Sequence, residues 1–195
     1  FLHDQVRKLG AREDRIFEFD TGFDPEKEIL REKTNRDKKS TDKLSHVTFV
    51  YAGRIEENKG VSDLLNAFYV LREKYLANLI FIGEGSFSKK LRHEINLNKH
   101  ASDVKMLGQI SNQEVLELMC QATAVVTPTQ SRFPEGRCMS AMEALLVGTP
   151  VIAPKLGPFP YLVSDLNNGI LYKPDDIYSL IDAMSRLIED KNLLK

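Results

Sequence analysis

The residues with chemistry to offer gather in residues 131–154, SRFPEGRCMSAMEALLVGTPVIAP, where Glu135 stands in a Pro/Gly loop and Glu143 inside a short apolar helix that runs into a buried strand. Eight positions along one continuous helix would set the two carboxylates about 80° apart around the axis and about 12 Å apart along it, too far to share a ligand. Pro134 and Gly136 change this, because they place Glu135 before the helix, where it folds back toward the first turn while Glu143 points up from the second. Two carboxylates then converge near one helix N-terminus. Its unpaired N–H groups and positive dipole end suit a phosphate, and carboxylates accept hydrogen bonds from sugar hydroxyls. A phosphorylated sugar satisfies both. The helical neighbours of Glu143 are Met139, Ser140, Leu146 and Val147, and a charge on so apolar a face needs a partner. Taken alone, the pair also fits a solvated loop residue and a half-buried helix charge held by some Lys or Arg.

Apolar runs alternate with helical patterns from His46 onward, the signature of repeated βα units and of a parallel sheet covered on both faces. Strands are expected at 47–52, 79–83, 104–107, 124–127 and 151–153, with a further extended piece at 169–172. Helices are expected at 61–75, where Leu64, Leu65, Phe68 and Leu71 recur at helical period, and at 177–188, where Leu180, Ile181, Met184 and Leu187 do the same. Weaker helical patterns cover 88–98 and 112–121. The expected fold is α/β, a Rossmann-like doubly wound parallel sheet, with the ligand in the crevice at the carboxyl ends of the strands. Residues 46–195 form that domain. Residues 1–45 read as an N-terminal segment and charged linker, partly packed on it: 15–20 is a plausible extra strand, TGFDP a turn, and 26–43 a solvated run dense in charge.

The chain has 195 residues, 42% hydrophobic and 28% charged, which fits one soluble globular domain with a full core or one domain carrying an appended segment. A net charge of −1 argues against a nucleic-acid footprint or a polybasic membrane patch. Cys120 and Cys138, the two cysteines, lack CxxC spacing and neighbouring His, which points to a reducing cytosol and away from zinc or a disulfide scaffold. No apolar run reaches the roughly 18 residues of a membrane helix. The chain opens on FLHDQVRKLG, which reads as the end of a helix already under way, so a piece of something longer is expected.

Four loops fall where the crevice should be. GRIEENKG follows the first strand: Gly53 permits a tight turn, and Arg54 and Lys59 put two cations beside a helix start, as a diphosphate requires. GEGS, with Gly83 and Gly85, permits close backbone approach to a ligand, and a plain βα turn explains it as well. Leu107 to Ser111, with Ile110, offers backbone at a strand end to the edge and face of a nucleobase. The fourth is Glu135 to Glu143, with Gly157 and Pro158 after the next strand.

GRIEENKG, GEGS, the Glu135-x7-Glu143 pair and the following GTPVIAP resemble the C-terminal, donor-binding domain of GT-B glycosyltransferases, especially glycosyltransferase family 4, over about residues 15–194. The resemblance implies one of two Rossmann-like domains flanking a cleft, and retaining transfer from a nucleotide-sugar, a UDP- or GDP-sugar, with no metal or other cofactor required. Carried over position by position, Arg54 and Lys59 neutralise the diphosphate as leaving group, Glu135 holds hydroxyls of the donor sugar and Glu143 holds those of the ribose. The amides of Gly136, Arg137, Cys138 and Met139 complete the phosphate cradle, and Ile110 faces the base. Arg54, Lys59 and Glu135 are the catalytic set; Glu135 positions and is neither nucleophile nor general base.

This sequence departs from the family in two places. Glu135-Gly136-Arg137-Cys138 stands where a Gly-rich EGFG-like run is common, so that Arg137 either adds a phosphate contact or points to solvent. GPFPYLV replaces the more usual Gly-Gly with a nearby Glu, which leaves the contact to the sugar's far side open. His3, His46, His93 and His100 are scattered, and no Ser/His/Asp or Cys/His arrangement stands out. Lys89, Lys90 and Arg92 form a basic helix start, read as a solvated face, with lipid contact the other reading if the acceptor is membrane-borne. The expected protein is a hexosyltransferase of bacterial polysaccharide biosynthesis, cytoplasmic or at the inner face of the membrane. Its glycan or lipid-linked acceptor is held by an N-terminal domain outside this chain, so the fragment binds donor without transferring it. The rival readings are a nucleotide-sugar epimerase, a phosphorylase, and a non-catalytic nucleotide-sugar-binding domain of the same architecture.

Overall fold

A computed structural model describes residues 47–133 and 135–190. The strand at 15–20, the turn and the charged run expected before residue 46 lie outside these residues, as does Pro134. Six parallel strands form one sheet: β1 (Val47–Ala52), β2 (Ala77–Ile82), β3 (Val104–Met106), β4 (Ala124–Val126), β5 (Val151–Pro154) and β6 (Gly169–Tyr172). Their order across the sheet is β3-β2-β1-β4-β5-β6, and every neighbouring pair is parallel. The chain builds one half outward from β1 through β3, then returns to β1 and builds the other. The order therefore reverses between β1 and β4, and the crevice of a doubly wound sheet opens there.

All six expected strands form. β2 starts two residues earlier than its apolar run suggests, because its register runs from Val47 opposite Ala77 to Ala52 opposite Ile82 and extends it along the whole of β1. Strand β1 alternates cleanly: Phe49 and Tyr51 face one side of the sheet and Val50 the other.

The first side is covered by α1 (Val61–Arg72), α2 (Ser88–Asn96) and the last helix, Ile177–Glu189, with Phe49, Leu64, Phe68, Phe81 and Met184 fully buried. The second side carries α3 (Asn112–Gln121), α4 (Met139–Leu146) and α5 (Phe159–Leu162), which makes Ile177–Glu189 α6. Here Met119, Ala141, Ala144 and Phe159 are the buried contacts, and the two alanines bring α4 close to the sheet. Helices α1 and α2 end before their apolar patterns do, at Arg72 and Asn96. Ser111 and Glu114 close a reciprocal capping box at the start of α3, and Asp176 caps α6 through the N–H of Ser179. Among the described residues no helix is long and apolar enough to cross a membrane.

Candidate functional site

A cleft of about 350 Å³ opens at the carboxyl ends of β1, β2 and β4, at the point where the strand order reverses. Its first wall is the chain leaving β1. Gly53 donates to Ile82 O at 3.0 Å and Ile55 to Glu84 O at 3.1 Å, which ties this turn to the end of β2. The chain then forms a short 3-10 turn, Glu57–Lys59, and enters α1 through Gly60, whose φ of 67° is left-handed. A Cβ on Gly60 would stand 1.9 Å from Pro128 O, so glycine is required for the two sides of the cleft to meet.

The second wall is the chain leaving β4. It runs as loop from Thr127 to Phe133 and from Glu135 to Cys138, and among the described residues side chains tie it down at Gln130, Ser131 and Glu135. Gln130 Nε2 donates to Asp63 Oδ2 at 2.7 Å, Ser131 donates through both its N–H and its hydroxyl to Asp175, and Lys59 Nζ stands 2.6 Å from Glu135 Oε2. Asp175 takes a left-handed backbone at φ 55°, and the two Ser131 donors hold its carboxyl below the ordinary range. The Lys59 and Glu135 side chains are 21% and 13% exposed, and Thr129 Oγ1 also reaches Glu135 Oε2 at 3.4 Å.

Gly53, Arg54, Lys59, Gly83, Ile110, Glu135, Arg137, Cys138, Met139 and Glu143 all line this one cleft. Two of the sequence candidates stand apart. Gly85 is not on the cleft wall; a Cβ there would come within 2.3 Å of Ile55 O, so its role is close packing between two turns. Gly136 is exposed between two cleft residues without lining the cleft itself. The two cations also differ: Lys59 is drawn inward to Glu135, whereas Arg54 is 70% exposed at the mouth, with Nη1 3.0 Å from Glu56 Oε1.

Glu143 sits in the second turn of α4, half-buried, and burial alone pushes its carboxyl above the ordinary range. Among the described residues no donor or cation meets it, so the partner that its apolar helix face calls for is not supplied by this part of the fold. Cys138, the residue before the first turn of α4, is buried and its thiol makes no conventional oxygen cap, meeting the Ala141 N–H only through its weakly accepting sulfur. Burial raises the Cys138 thiol and keeps it protonated; its Sγ lies 3.4 Å from Ser140 Oγ. Arg137 is exposed on the cleft rim, with Nε 3.5 Å from Met142 Sδ. On the β3 side, Gly83 donates to Gly108 O at 2.8 Å, which brings Gln109 and half-buried Ile110 to the cleft edge.

Sequence reasoning passed over Tyr51, Thr127 and Thr129, all of which line the cleft. The alternation of β1 carried a signal for Tyr51, a polar-tipped residue at the strand's carboxyl end. The threonines had one too, in the Thr-Pro-Thr that leaves β4 beside β1.

The arrangement places a lysine–carboxylate pair, a carboxylate without a partner among the described residues and a helix start around one space. Such a site can hold a phosphate on the cations and N–H groups and hydroxyls on the carboxylates.

A family model described as glycosyl transferases group 1 matches residues 32–195. A lipopolysaccharide 1,2-N-acetylglucosaminetransferase of Salmonella typhimurium is 31% identical over 151 residues, 73% of this chain and 39% of that protein. A glycogen synthase of Mycobacterium tuberculosis is 28% identical over 142 residues, 72% of this chain and 34% of that protein. The chain thus spans little more than a third of the length of the curated relatives it matches. Among solved structures, the C-terminal domain of a glycosyl transferase group 1 family protein, LpcC, from Francisella tularensis superposes with a TM-score of 0.66 at 27% identity, covering 84% of each chain. Anabaena HepE in complex with UDP shares the fold with a TM-score of 0.77 at 22% identity, covering 98% of this chain and 52% of that one.

Proposed function

This chain belongs to the glycosyl transferases group 1 family, and from that premise we propose that it is the donor-binding half of a retaining hexosyltransferase. The donor is a nucleoside diphosphate sugar, a UDP- or GDP-sugar, and the acceptor is a glycan or a lipid-linked glycan. One observation carries the reading: the Lys59–Glu135 pair and the Glu143 carboxylate, which no cation or donor meets among the described residues, face one cleft at the switch point of the sheet, beside the start of α4.

In this reading the diphosphate lies against Lys59, Arg54 and the N–H groups of the chain from Gly136 to Met139, which offset its charge as it departs. Glu143 accepts from the ribose hydroxyls, which gives its half-buried carboxylate the donors it lacks in the ligand-free fold. Ile110 faces the base. Glu135 stays on Lys59 and accepts from hydroxyls of the transferred sugar, so one lysine ties the sugar subsite to the phosphate subsite. The acceptor oxygen bonds to the anomeric carbon from the face that the leaving group vacates. The bond from that carbon to the phosphate oxygen breaks, and the acceptor proton passes to that oxygen. No side chain of this chain serves as nucleophile.

The acceptor wall is assigned to an N-terminal domain outside residues 46–195. Retaining stereochemistry, action at the cytoplasmic face of the membrane and membrane contact by the longer protein follow from the resemblance, and the Salmonella relative supports a glycan acceptor. Calorimetric titration of the chain with UDP, GDP and ADP tests the site. Binding of one nucleotide that weakens about tenfold in Glu143→Ala and in Lys59→Ala is expected, each substitution removing charge-assisted hydrogen bonds. Binding that ignores both substitutions would refute the assignment. Transfer, epimer formation or neither by the longer protein then separates the transferase reading from its rivals.

A further inference from the structure

Tyr51 ends the buried part of β1 and is 3% exposed, yet its ring lines the cleft. The ring is fixed against Phe81, with centroids 5.7 Å apart and planes inclined at 53°, a tilted aromatic contact deep in the first core. Its hydroxyl donates to the backbone carbonyl of Arg54 at 2.7 Å. Burial, with Cys138, Glu135 and Glu56 nearby, holds the phenol far above its ordinary range, so it remains a donor at every working pH.

The carbonyl it grips is the hub of the turn. Arg54 O also accepts from the N–H of Glu56 at 3.0 Å, the first bond of the compact path to Lys59. On either side, Gly53 and Ile55 are pinned by backbone bonds to Ile82 and Glu84, so that among the described residues the Arg54 peptide is the unit of this stretch that a side chain anchors. The fit is close: a Cβ on Gly53 would stand 3.2 Å from the Tyr51 hydroxyl. A rigid core aromatic thus reaches from the floor of the cleft to the backbone that carries both cations.

We infer that Tyr51 is a positioning residue for the diphosphate subsite, its hydroxyl setting the orientation of the Arg54 peptide and through it the reach of Arg54 and Lys59. The inference rests on the donor-site reading. It predicts a selective defect. Loss of the hydroxyl loosens the turn that meets the diphosphate and leaves the base and ribose contacts, on Ile110 and Glu143, untouched.

The test is calorimetric titration of the wild-type chain and Tyr51→Phe with UDP and uridine, and with GDP and guanosine. Thermal unfolding of both proteins serves as the check on the core. The expected result is a nucleoside diphosphate affinity about fivefold lower in Tyr51→Phe, the worth of one net hydrogen bond, with nucleoside affinity unchanged. Equal affinities of wild type and Tyr51→Phe for the diphosphate would overturn the inference alone, as would a parallel loss for nucleoside and diphosphate, which marks a general packing defect. A wild-type chain that binds neither diphosphate would overturn the donor-site reading, and this inference with it.

Discussion

The two walls of the cleft are built in different ways. The wall that leaves β1 turns within a few residues, and its shape is set by backbone bonds from Gly53, Ile55 and Lys59, by the left-handed Gly60 and by one buried hydroxyl. The wall that leaves β4 is loop over Thr127 to Phe133 and Glu135 to Cys138, and side chains hold it: Gln130 to Asp63, Ser131 to Asp175, Glu135 to Lys59. A backbone-bonded wall keeps its shape when its exposed side chains change, whereas a loop tied by side chains is retuned by single substitutions. The first wall suits a group common to every donor, such as a diphosphate. The side-chain-held part of the second, at Glu135, suits the part of the ligand that differs from one enzyme to another.

The sharpest way to break the contrast is at the point where the walls touch. In Gly60→Ala the new Cβ would lie 1.9 Å from Pro128 O, and the residue would have to keep φ at 67°. Neither backbone can yield without disturbing β4 or α1. A loss of about 3 kcal/mol in folding stability is expected, read from the urea midpoint at constant slope. A loss under 1 kcal/mol would mean that the loop side moves freely and that the walls are not braced against each other.

A second substitution sharpens the comparison from the side-chain wall. Glu135→Gln removes the charge that engages Lys59 and leaves an amide that still accepts a hydrogen bond. Lysine is then shared with the diphosphate alone, so affinity for a free nucleoside diphosphate should rise about threefold, while the added affinity conferred by the sugar is lost. Titration with UDP or GDP and with the corresponding sugar nucleotides measures both. A fall in both affinities would instead make Glu135 a structural brace for Lys59.

The same contrast explains which features are legible in the sequence. The strands are, because buried parallel strands are continuous apolar runs, and α6 is, because Leu180, Met184 and Leu187 recur at helical period. Lys59, Glu135 and Glu143 are legible because each stands beside a Gly or Pro or within an apolar helix, where a charge is out of place. Tyr51, Thr127 and Thr129 are legible only as polar-tipped residues at strand ends; that they meet in one cleft follows from the placement of β4 beside β1, which no local pattern encodes. Gly85 fits both readings of its loop in the sequence, ligand approach or a plain turn, and its missing Cβ makes room for Ile55 O. The four-residue α5 is too short to show a period at all.

Glu143 gives the smallest expected change and the most discriminating one. Its folded-state carboxyl is raised above the ordinary 4.5 by burial and nothing offsets that burial among the described residues. The sign follows. A raised folded value means that the folded state holds the proton more tightly than the unfolded chain does. Its contribution to stability is full below 4.5 and is lost as the pH rises through the folded value. At pH 7 the ionised side chain is therefore a cost to the ligand-free fold. Glu143→Gln should stabilise that fold by about a few tenths of a kcal/mol, a small figure because solvent screens a half-exposed carboxylate. The gain should vanish below 4.5, where wild type is also neutral. Nucleotide affinity should move the other way, because the amide forfeits the charge-assisted hydrogen bonds a carboxylate accepts and puts an NH2 donor where the second accepting oxygen stood. Urea unfolding across pH and titration at pH 7 decide it: a charge kept for structure would lose stability on neutralisation, and a charge kept for a ligand gains stability and loses binding.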